Sequence, residues 1–385
     1  MRRRAARGVA ALPHKAMLQV LYAVVAVAMG YQGIALIAAL RHYFARAPRG
    51  SRMPGISILK PIRGLDQGFY AAIRSHAIQD YPEFEILFGV RDLDDPAVPE
   101  IRRLIDEFPR VAIRLIESTT EAPNGKVGVL MDLAAHARHP VWIVNDSDIT
   151  VPAGYLRDVV APLEDSGVGL VTCLYRAESS GWPGRWEALG IATDFAPSTL
   201  VAPLFGVSEF GLGSTLAFRR EDLLRIGGFA ALRDYLADDY QLGAMLHALG
   251  RRNVISKVVV STHLEGKSWG AVWAHQVRWS RTVRLSKPWG YAGLPVTFAG
   301  LWAGVALAAG AWPIAIALLI LRLATGIAGG WVILRSGDAL RLALLIPFRD
   351  LYTAAVWAAA LFGKTVLWRG RKLVLDRSGR IIGQR

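Results

Sequence analysis

Long apolar runs toward both ends of the chain constrain its fold more than any other feature. Residues 17–40 carry no charged side chain. A helix of that length, at about 1.5 Å per residue, can cross a hydrocarbon core of roughly 30 Å. Residues 291–334 hold a single charge, Arg322, and are long enough for two further spans. The chain is therefore expected to be a multi-pass membrane protein.

Two of the apolar stretches admit an alternative. Residues 17–40 exceed the apolar core of a secretory signal, which is usually about 7–15 residues long, so a cleaved signal is disfavoured. The stretch 339–368 predicts either a third C-terminal span or a helix partly in the membrane interface. It is interrupted by Pro347, Arg349 and Asp350.

Positive charge is concentrated beside the apolar runs. The formal net charge is +14, and residues 1–65 hold eleven Lys or Arg but no Asp or Glu. Because these residues flank predicted spans, they indicate topology signals or contact with anionic lipid head groups, and no nucleic-acid partner is expected. The single cysteine, Cys173, excludes an internal disulfide and a cysteine-based metal cluster.

Hydropathy and charge divide the chain into five segments. They are a basic tail (1–16), a transmembrane helix (17–40), a linker (41–55), a water-exposed domain ending in an amphipathic helix (56–290), and a C-terminal membrane region with two or three spans and a basic tail (291–385).

The water-exposed domain alternates short apolar runs with helical patterns. This alternation predicts an α/β fold with a mostly parallel sheet and helices on both faces. In such sheets ligands bind beyond the carboxyl ends of the strands. The expected strands are 56–59, 84–90, 111–116, 141–145 and 168–174.

Acidic residues follow two of these strands. Asp146-Ser147-Asp148 comes directly after 141–145, and Asp92 follows 84–90. Mg²⁺ and Mn²⁺ prefer oxygen ligands and are commonly held by one or two carboxylates together with substrate phosphates. The sequence predicts a cation at Asp146 and Asp148 that neutralises a departing diphosphate. The alternative is that these residues only form a turn.

A second acidic pair and an amphipathic segment lie further along. Asp238 and Asp239 precede a helical pattern, where they either stabilise the helix N-terminus or provide a general base. Two adjacent carboxylates raise the pKa of one of them, which suits a base. The segment 272–289 has a basic side with interspersed tryptophans, which is typical of a helix at a membrane surface.

In combination these motifs resemble the ceramide glucosyltransferase family, which also contains bacterial hopanoid-biosynthesis glycosyltransferases. The resemblance implies a GT-A nucleotide-sugar domain anchored by membrane helices. The residues that carry it, in chain order, are Ile58-Leu59-Lys60-Pro61, Gly89-Val90-Arg91-Asp92, Asp146-Ser147-Asp148, Asp238-Asp239-Tyr240 and Arg278-Trp279.

The resemblance also implies roles for individual residues. Asp92 is expected to contact the nucleotide, Asp146 and Asp148 to hold Mg²⁺ or Mn²⁺, and Asp239 to act as base beside Asp238. Lys60 and Lys126 match positions near the nucleotide. Arg278 and Trp279 match the end of a Gln/Arg-x-x-Arg-Trp motif that helps to bind diphosphate and acceptor. His275 stands where that motif usually has Gln or Arg, so either His275 or Gln276 is expected to take that place.

The expected activity is an inverting, metal-dependent transfer of a sugar from a UDP-sugar to a hydroxyl of a membrane lipid of the ceramide type. Two alternatives stay open, namely a hopanoid N-acetylglucosaminyltransferase with the same chemistry and a non-catalytic membrane protein or lipid transporter with a degenerate nucleotide domain. Because the donor is cytoplasmic, the domain is expected to face the cytoplasm from the inner membrane.

Overall fold

The computed structural model describes residues 14–368 and 371–384. Most of the predicted basic tail, residues 1–13, lies outside these ranges. The described strands form one seven-stranded sheet and one three-stranded sheet. The strands are β1 (Ile56–Pro61), β2 (Phe84–Val90), β3 (Ala112–Glu117), β4 (Val141–Val144), β5 (Val168–Glu178), β6 (Leu216–Arg219), β7 (Arg252–His263), β8 (Thr365–Trp368), β9 (Arg371–Leu375) and β10 (Ile381–Gln384).

Helices precede, separate and follow these strands, and short 3₁₀ and π-helical turns extend several of them. The α-helices are α1 (His14–Phe44), α2 (Phe69–Ala77), α3 (Val98–Glu107), α4 (Gly125–His136), α5 (Tyr155–Val160), α6 (Trp182–Gly190), α7 (Ala196–Val201), α8 (Arg220–Arg225), α9 (Asp238–Ala248), α10 (Trp269–Ser286), α11 (Pro288–Gly293), α12 (Ala299–Ala308), α13 (Trp312–Ile327), α14 (Gly337–Arg341) and α15 (Ile346–Ala360).

The large sheet confirms the predicted α/β class. Its order is β3-β2-β1-β4-β6-β5-β7, and β1 to β4 are parallel. Strand β6 pairs antiparallel with both β4 and β5, whereas β7 is parallel to β5. Each of the five expected strands begins within one residue of its predicted start. The carboxyl ends of β1 to β4 therefore share one edge, and the residues before β6 join them there.

Two apolar clusters cover the faces of this sheet. One packs side chains of β1 and β2 against α2, α3 and α5. The other packs the opposite face against α4 and α9, with Trp142 stacked on Phe229 at 6.1 Å between ring centroids. Burial on both faces explains why these strands read as short, nearly continuous apolar runs.

The apolar ends of the chain form a separate helical layer. Helix α1 packs against α12 and α13 through small side chains, which allow helices to approach closely within a membrane. Among the described residues, three helical segments have the length and hydropathy to cross a membrane: Lys15–Phe44, Trp182–Phe205 and Trp312–Ile333. A bent pair, Pro288–Thr297 with Ala299–Ala308, raises the number to four if it counts as one span.

The segment Trp182–Phe205, which we name the crossover segment, is a feature that the sequence patterns did not single out. It connects β5 to β6 and therefore belongs to the chain of the α/β domain. Its apolar residues pack with α1 and with residues 328–339. The crossover segment thus lies between the sheet and the membrane helices and joins the two parts.

A buried ionic network fixes this junction. Arg322, on α13, is 2% exposed. It donates to Asp350 of α15, with Nη2 2.6 Å from Oδ1 and Nε 2.9 Å from Oδ2, and its Nη1 lies 2.9 Å from the Thr193 carbonyl oxygen. It also pairs with Asp194 of the crossover segment. The charge that interrupts the apolar run therefore faces protein groups, which removes the cost of exposing it to lipid.

The basic C-terminal residues form a small sheet. Strands β8, β9 and β10 form an antiparallel sheet, and the alternation of Val366, Leu373, Leu375 and Ile381 places their side chains in a cluster with Leu236 and Leu285. Helix α15, from the stretch 339–368, has 15 residues and is not among the segments long and apolar enough to span. Its Arg349 and Asp350 are buried against protein.

We expect Arg322→Met to lower the free energy of unfolding by about 3–5 kcal/mol, because it leaves Asp350 and Asp194 buried without their cation. Thermal unfolding of the detergent-solubilised protein measures the effect. Arg341→Met, at an exposed position of α14, is the control. A destabilisation no larger than that of the control would contradict the role assigned to the network.

Candidate active site

The turn after β4 is held by backbone contacts on two sides. The Asp146 N–H donates to the Gly213 carbonyl oxygen at 3.1 Å, because β6 starts beside the end of β4. The buried Lys60 Nζ donates to the Asp146 carbonyl oxygen at 3.2 Å. Burial lowers the pKa of Lys60 to about 7, although the negative charges of Asp148 and Asp146 act to raise it. Lys60 therefore supports the turn from inside the sheet rather than reaching outward to a ligand.

The two carboxylates of this turn differ in their surroundings. The Asp146 side chain is 47% exposed, whereas Asp148 accepts a hydrogen bond from the Thr262 hydroxyl on β7. Burial and the neighbouring charge of Asp146 raise the pKa of Asp148. The turn thus presents one open and one anchored carboxylate at the sheet edge.

Lys126 connects the turn to the second acidic pair. Its Nζ lies 2.9 Å from Asp146 Oδ1 and 3.3 Å from Asp238 Oδ2. Burial alone disfavours this ammonium, but the charges of Asp146, Asp238 and Asp239 outweigh it and raise the pKa of Lys126. Asn124 places Lys126 by capping the first turn of α4, and its Nδ2 donates to the Tyr235 carbonyl oxygen at 2.8 Å.

Asp239, like Asp146, is hydrogen-bonded to the backbone of Gly213. Its Oδ2 accepts the Gly213 N–H at 2.9 Å, and its Oδ1 accepts its neighbour's N–H, that of Tyr240, at 2.8 Å. Burial, followed by the charge of Asp238, raises the pKa of Asp239 to about 6 although Lys126 acts against the shift. At neutral pH this carboxyl is ionised and can accept a proton.

The residues present fit a divalent cation that substrate phosphates complete. Among the described residues no three His, Cys, Asp or Glu side chains gather as a metal site. Asp146 and Asp148 supply two carboxylates whose repulsion a cation relieves, and the Lys126 ammonium already sits against Asp146. Mg²⁺ usually takes one or two carboxylates plus phosphate oxygens and water. An open two-carboxylate site at the sheet edge matches that preference.

Asp92 lies apart from this group. It is exposed after β2, and its Oδ1 accepts the Asp94 N–H at 2.9 Å within its own turn. Strand β1 separates β2 from β4 in the sheet, so at roughly 4.8 Å per strand spacing the two strand ends are about 10 Å apart. Asp92 is thus on the same edge as Asp146 but outside its contacts.

The motif on α10 is tied to the crossover segment and to α15. His275 Nδ1 lies 2.5 Å from Glu187 Oε1, and Lys267 Nζ lies 3.2 Å from Glu187 Oε2. Gln276 accepts a hydrogen bond from Arg349 at 2.5 Å. Trp279, on the same helix, packs on the His275 ring with the two ring centroids 4.4 Å apart. Burial, and also the positive charge of Arg278, lowers the pKa of His275 although Glu187 raises it. His275 and Gln276 therefore hold elements together rather than pointing freely at a ligand.

Tyr175, on β5, and Trp279, on α10, pack against the same apolar cluster. Burial, and then the charges of Glu187, Asp148, Asp146 and Asp239, raise the pKa of the Tyr175 phenol well above its usual value. The packing therefore places α10 against the strand that pairs with β6 in the large sheet.

Sequence patterns missed three contributors to this region. They are Tyr175, Glu187 and Gly213. Gly213 had a local signal, since it belongs to Gly211-Leu212-Gly213 just before a strand. The other two act through contacts with residues far away in the chain, so no spacing rule reveals them.

Comparison with known proteins identifies the family. Residues 20–381 match the family described as Glycosyl transferase family 21. The chain belongs to this family. It is therefore a glycosyltransferase, as the motifs predicted, and the resemblance stated from sequence is confirmed.

Similar curated proteins share only part of their length with the chain. Ceramide glucosyltransferase 1 of Caenorhabditis elegans is 29% identical over 215 residues, which is 55% of this chain and 45% of that protein. Ceramide glucosyltransferase 3 of the same organism is 30% identical over 210 residues, covering 54% and 45%. The match thus spans less than half the length of these relatives.

A solved structure supports the fold. The mannosyltransferase PcManGT from Pyrobaculum calidifontis, in complex with GDP-Man and Mn²⁺, superposes with a TM-score of 0.53 at 23% identity, covering 89% of this chain and 97% of that chain. The likeness extends over most of both chains and supports the fold.

We expect Gly213→Ala to weaken Mn²⁺-dependent UDP binding about tenfold, a loss of ~1.4 kcal/mol. A Cβ at this position lies 2.7 Å from Asp146 Oδ2 and displaces that carboxylate. Calorimetric titration of UDP with and without Mn²⁺ measures the change. The control is Gly154→Ala, whose Cβ meets no atom closer than 3.7 Å. Equal UDP affinities of the two variants would show that Gly213 does not contribute to the site.

Proposed function

We propose that the chain is an inverting, metal-dependent glycosyltransferase that moves a sugar from a UDP-sugar to a hydroxyl of a membrane lipid, with a ceramide-type acceptor and glucose as the sugar. The observation that carries this proposal is the meeting of Asp146, Asp238 and Asp239 around Lys126 at the carboxyl edge of the sheet, with Asp148 beside Asp146 in the same turn. The names of the similar curated proteins favour ceramide and glucose over a hopanoid acceptor.

Asp239 is the proposed base. Its carboxylate takes the proton of the acceptor hydroxyl, and the oxygen forms a bond to the anomeric carbon while the bond from that carbon to the diphosphate breaks. A single displacement of this kind inverts the anomeric configuration. The raised pKa of Asp239, about 6, lets it hold the proton after transfer better than an ordinary aspartate.

The leaving group is proposed to bind beside Lys126. A bound Mg²⁺ or Mn²⁺, held by Asp146 and Asp148, would supply the positive charge that stabilises the departing diphosphate. Lys126 adds a fixed positive charge in contact with Asp146. Lys60 holds the turn through its hydrogen bond to the Asp146 carbonyl oxygen. Asp92, on the same edge, is proposed to contact the nucleotide.

The membrane supplies the acceptor. The helices with the length and hydropathy of spans lie next to the α/β domain, so a lipid can reach the sheet edge without leaving the bilayer. We propose that the domain faces the cytoplasm from the inner membrane of the cell, where nucleotide-sugars are made.

We expect Asp239→Asn to lower the rate of transfer by about 10²- to 10⁴-fold, the usual contribution of a general base, with UDP affinity changed less than about twofold. The assay supplies radiolabelled UDP-glucose and ceramide to the protein in phosphatidylcholine nanodiscs. The glycolipid is identified by mass spectrometry, and its anomeric configuration by NMR.

Asp234→Asn, at a carboxylate whose nearest cation is Arg233 at 3.9 Å, is the matched control. Normal turnover by Asp239→Asn would refute the base assignment. If the native protein transfers no sugar to ceramide, and transfers N-acetylglucosamine to a hopanoid instead, then the hopanoid alternative replaces the proposal.

The pH dependence of kcat/KM tests the same group. A base with a pKa of about 6 is protonated below that pH, so activity is expected to fall as the pH drops through 6. Lys126 lowers the pKa of Asp239 whereas Asp238 and Asp146 raise it, so Lys126→Met is expected to move this acid limb to higher pH. If kcat/KM falls at the same pH in Lys126→Met as in the native protein, Lys126 does not act on the base and the assignment is contradicted.

A further inference from the structure

Three side chains of α6 and α15 carry buried donors that make no hydrogen bond. Within residues 14–368 and 371–384, no hydrogen-bond acceptor is present for Trp186 Nε1, for Nε and Nη1 of Arg349, or for the Tyr352 hydroxyl. We name these residues the donor cluster (Trp186, Arg349, Tyr352). Buried polar groups in folded proteins are almost always hydrogen-bonded, so several unpaired donors in one place indicate a ligand that carries acceptor atoms.

The members of the donor cluster are in mutual contact. The rings of Trp186 and Tyr352 lie 5.8 Å apart in an edge-on arrangement. The Arg349 guanidinium carbon lies 4.7 Å from the Tyr352 ring centroid and 5.7 Å from that of Trp186. Arg349 is 3% exposed, and one of its nitrogens is fixed by Gln276 at 2.5 Å. The donors therefore belong to one preorganised group, not to mobile surface side chains.

Exposed tryptophans of α10 form the outer edge of this cluster. Trp269 contacts Trp186 at 6.4 Å between centroids, and Trp273 contacts Tyr352 at 5.5 Å. They are 53% and 38% exposed. Tryptophan is enriched where membrane meets water because its ring is apolar and its N–H is polar. The cluster thus opens at the level where lipid head groups lie.

The charges around Arg349 favour an uncharged ligand. Arg349 Nε lies 3.9 Å from Asp194 Oδ2. The negative charge of Glu187 also interacts electrostatically with Arg349 and Tyr352. Asp194 and Asp350 together offset the two guanidinium charges of Arg322 and Arg349, and Glu187 lies against Lys267 and His275. Because the charge of Arg349 is already compensated, a neutral carbonyl or hydroxyl oxygen suits the site better than a phosphate.

The cluster is also connected to the sheet. Trp186 lies on α6, two residues before Ala188, and Ala188 belongs to an apolar cluster against which Tyr175 of β5 packs. The donor cluster is therefore held next to the strand that pairs with β6 and β7.

We propose that the donor cluster binds an uncharged oxygen of the acceptor lipid's head group, an amide carbonyl or a hydroxyl other than the one that receives the sugar. This inference rests on the proposed function, since it names where the acceptor of that reaction is recognised.

Tyr352→Phe tests the proposal because it removes only the unpaired hydroxyl. The probe is a fluorescent short-chain ceramide, bound to the full chain in phosphatidylcholine nanodiscs and displaced by unlabelled ceramide. The variant is expected to bind ceramide about two- to tenfold more weakly, the effect of one lost hydrogen bond. Its melting temperature and UDP affinity are expected to stay at or above those of the native protein.

Tyr291→Phe is the matched control, since the Tyr291 hydroxyl is paired with the Trp357 carbonyl oxygen at 2.6 Å and with Ser280. It is expected to show the reverse pattern, a lower melting temperature with unchanged ceramide affinity. Unchanged ceramide binding by Tyr352→Phe overturns the proposal. So does a loss that accompanies equal losses of stability and UDP affinity.

A second arm replaces the ceramide competitor with phosphatidylglycerol. If only displacement by this anionic lipid depends on Tyr352, the site binds phosphate and the proposal of a neutral head group falls. If ceramide binding depends on Tyr352 but the native protein transfers no sugar, the proposed function falls and the binding site stands. If the native protein transfers sugar to ceramide but Tyr352→Phe binds ceramide as tightly as the native protein, the proposed binding site is refuted and the proposed function stands.

Discussion

The site depends on a balance of charge at one edge of the sheet. Asp146, Asp148, Asp238 and Asp239 repel one another, and Lys126 is the cation in contact with two of them. Burial, and after it this repulsion, raises the pKa of Asp239 and that of Asp148. Burial and the crowding of like charges therefore prepare both a proton acceptor and a place for a cation.

The domain and the membrane helices are joined by polar contacts rather than by a linker alone. The crossover segment contributes Asp194 to the network of Arg322 and Glu187 to the contacts of α10. Because both residues lie in one helical segment, the position of the membrane helices and that of the α10 motif are mechanically coupled. The two ion pairs therefore fix the α10 motif relative to the apolar helices.

Local patterns predicted much of this architecture, and the limits of that prediction have physical causes. Apolar runs located β1 to β5, and the acidic turn after β4 was visible as a short motif. Strand β6 was not, since its four residues become a strand only by pairing with β4 and β5. The same holds within the site, where Asp146 and Asp239 are both tied to Gly213, a residue distant from each in the chain.

The motif on α10 shows a different limit. Its resemblance to a ligand-binding motif drew attention to His275 and Gln276, yet each of them contacts a charged residue of another helix, Glu187 and Arg349. A motif records which residue types recur and not what they touch. The partners of these two residues were visible only once the helices were placed.

The small C-terminal sheet has a consequence for how the chain threads the bilayer. The Ile381 N–H bonds the Asp234 carbonyl oxygen at 2.7 Å, and the Leu236 N–H bonds the Gly379 carbonyl oxygen at 3.2 Å, so the sheet lies on the same side as the α/β domain. Between Ser286 and Thr365 the polypeptide must then cross an even number of times. An even number is met by one crossing of the bent pair Pro288–Thr297 with Ala299–Ala308 and one of Trp312–Ile333, the two candidate spans in this part of the chain.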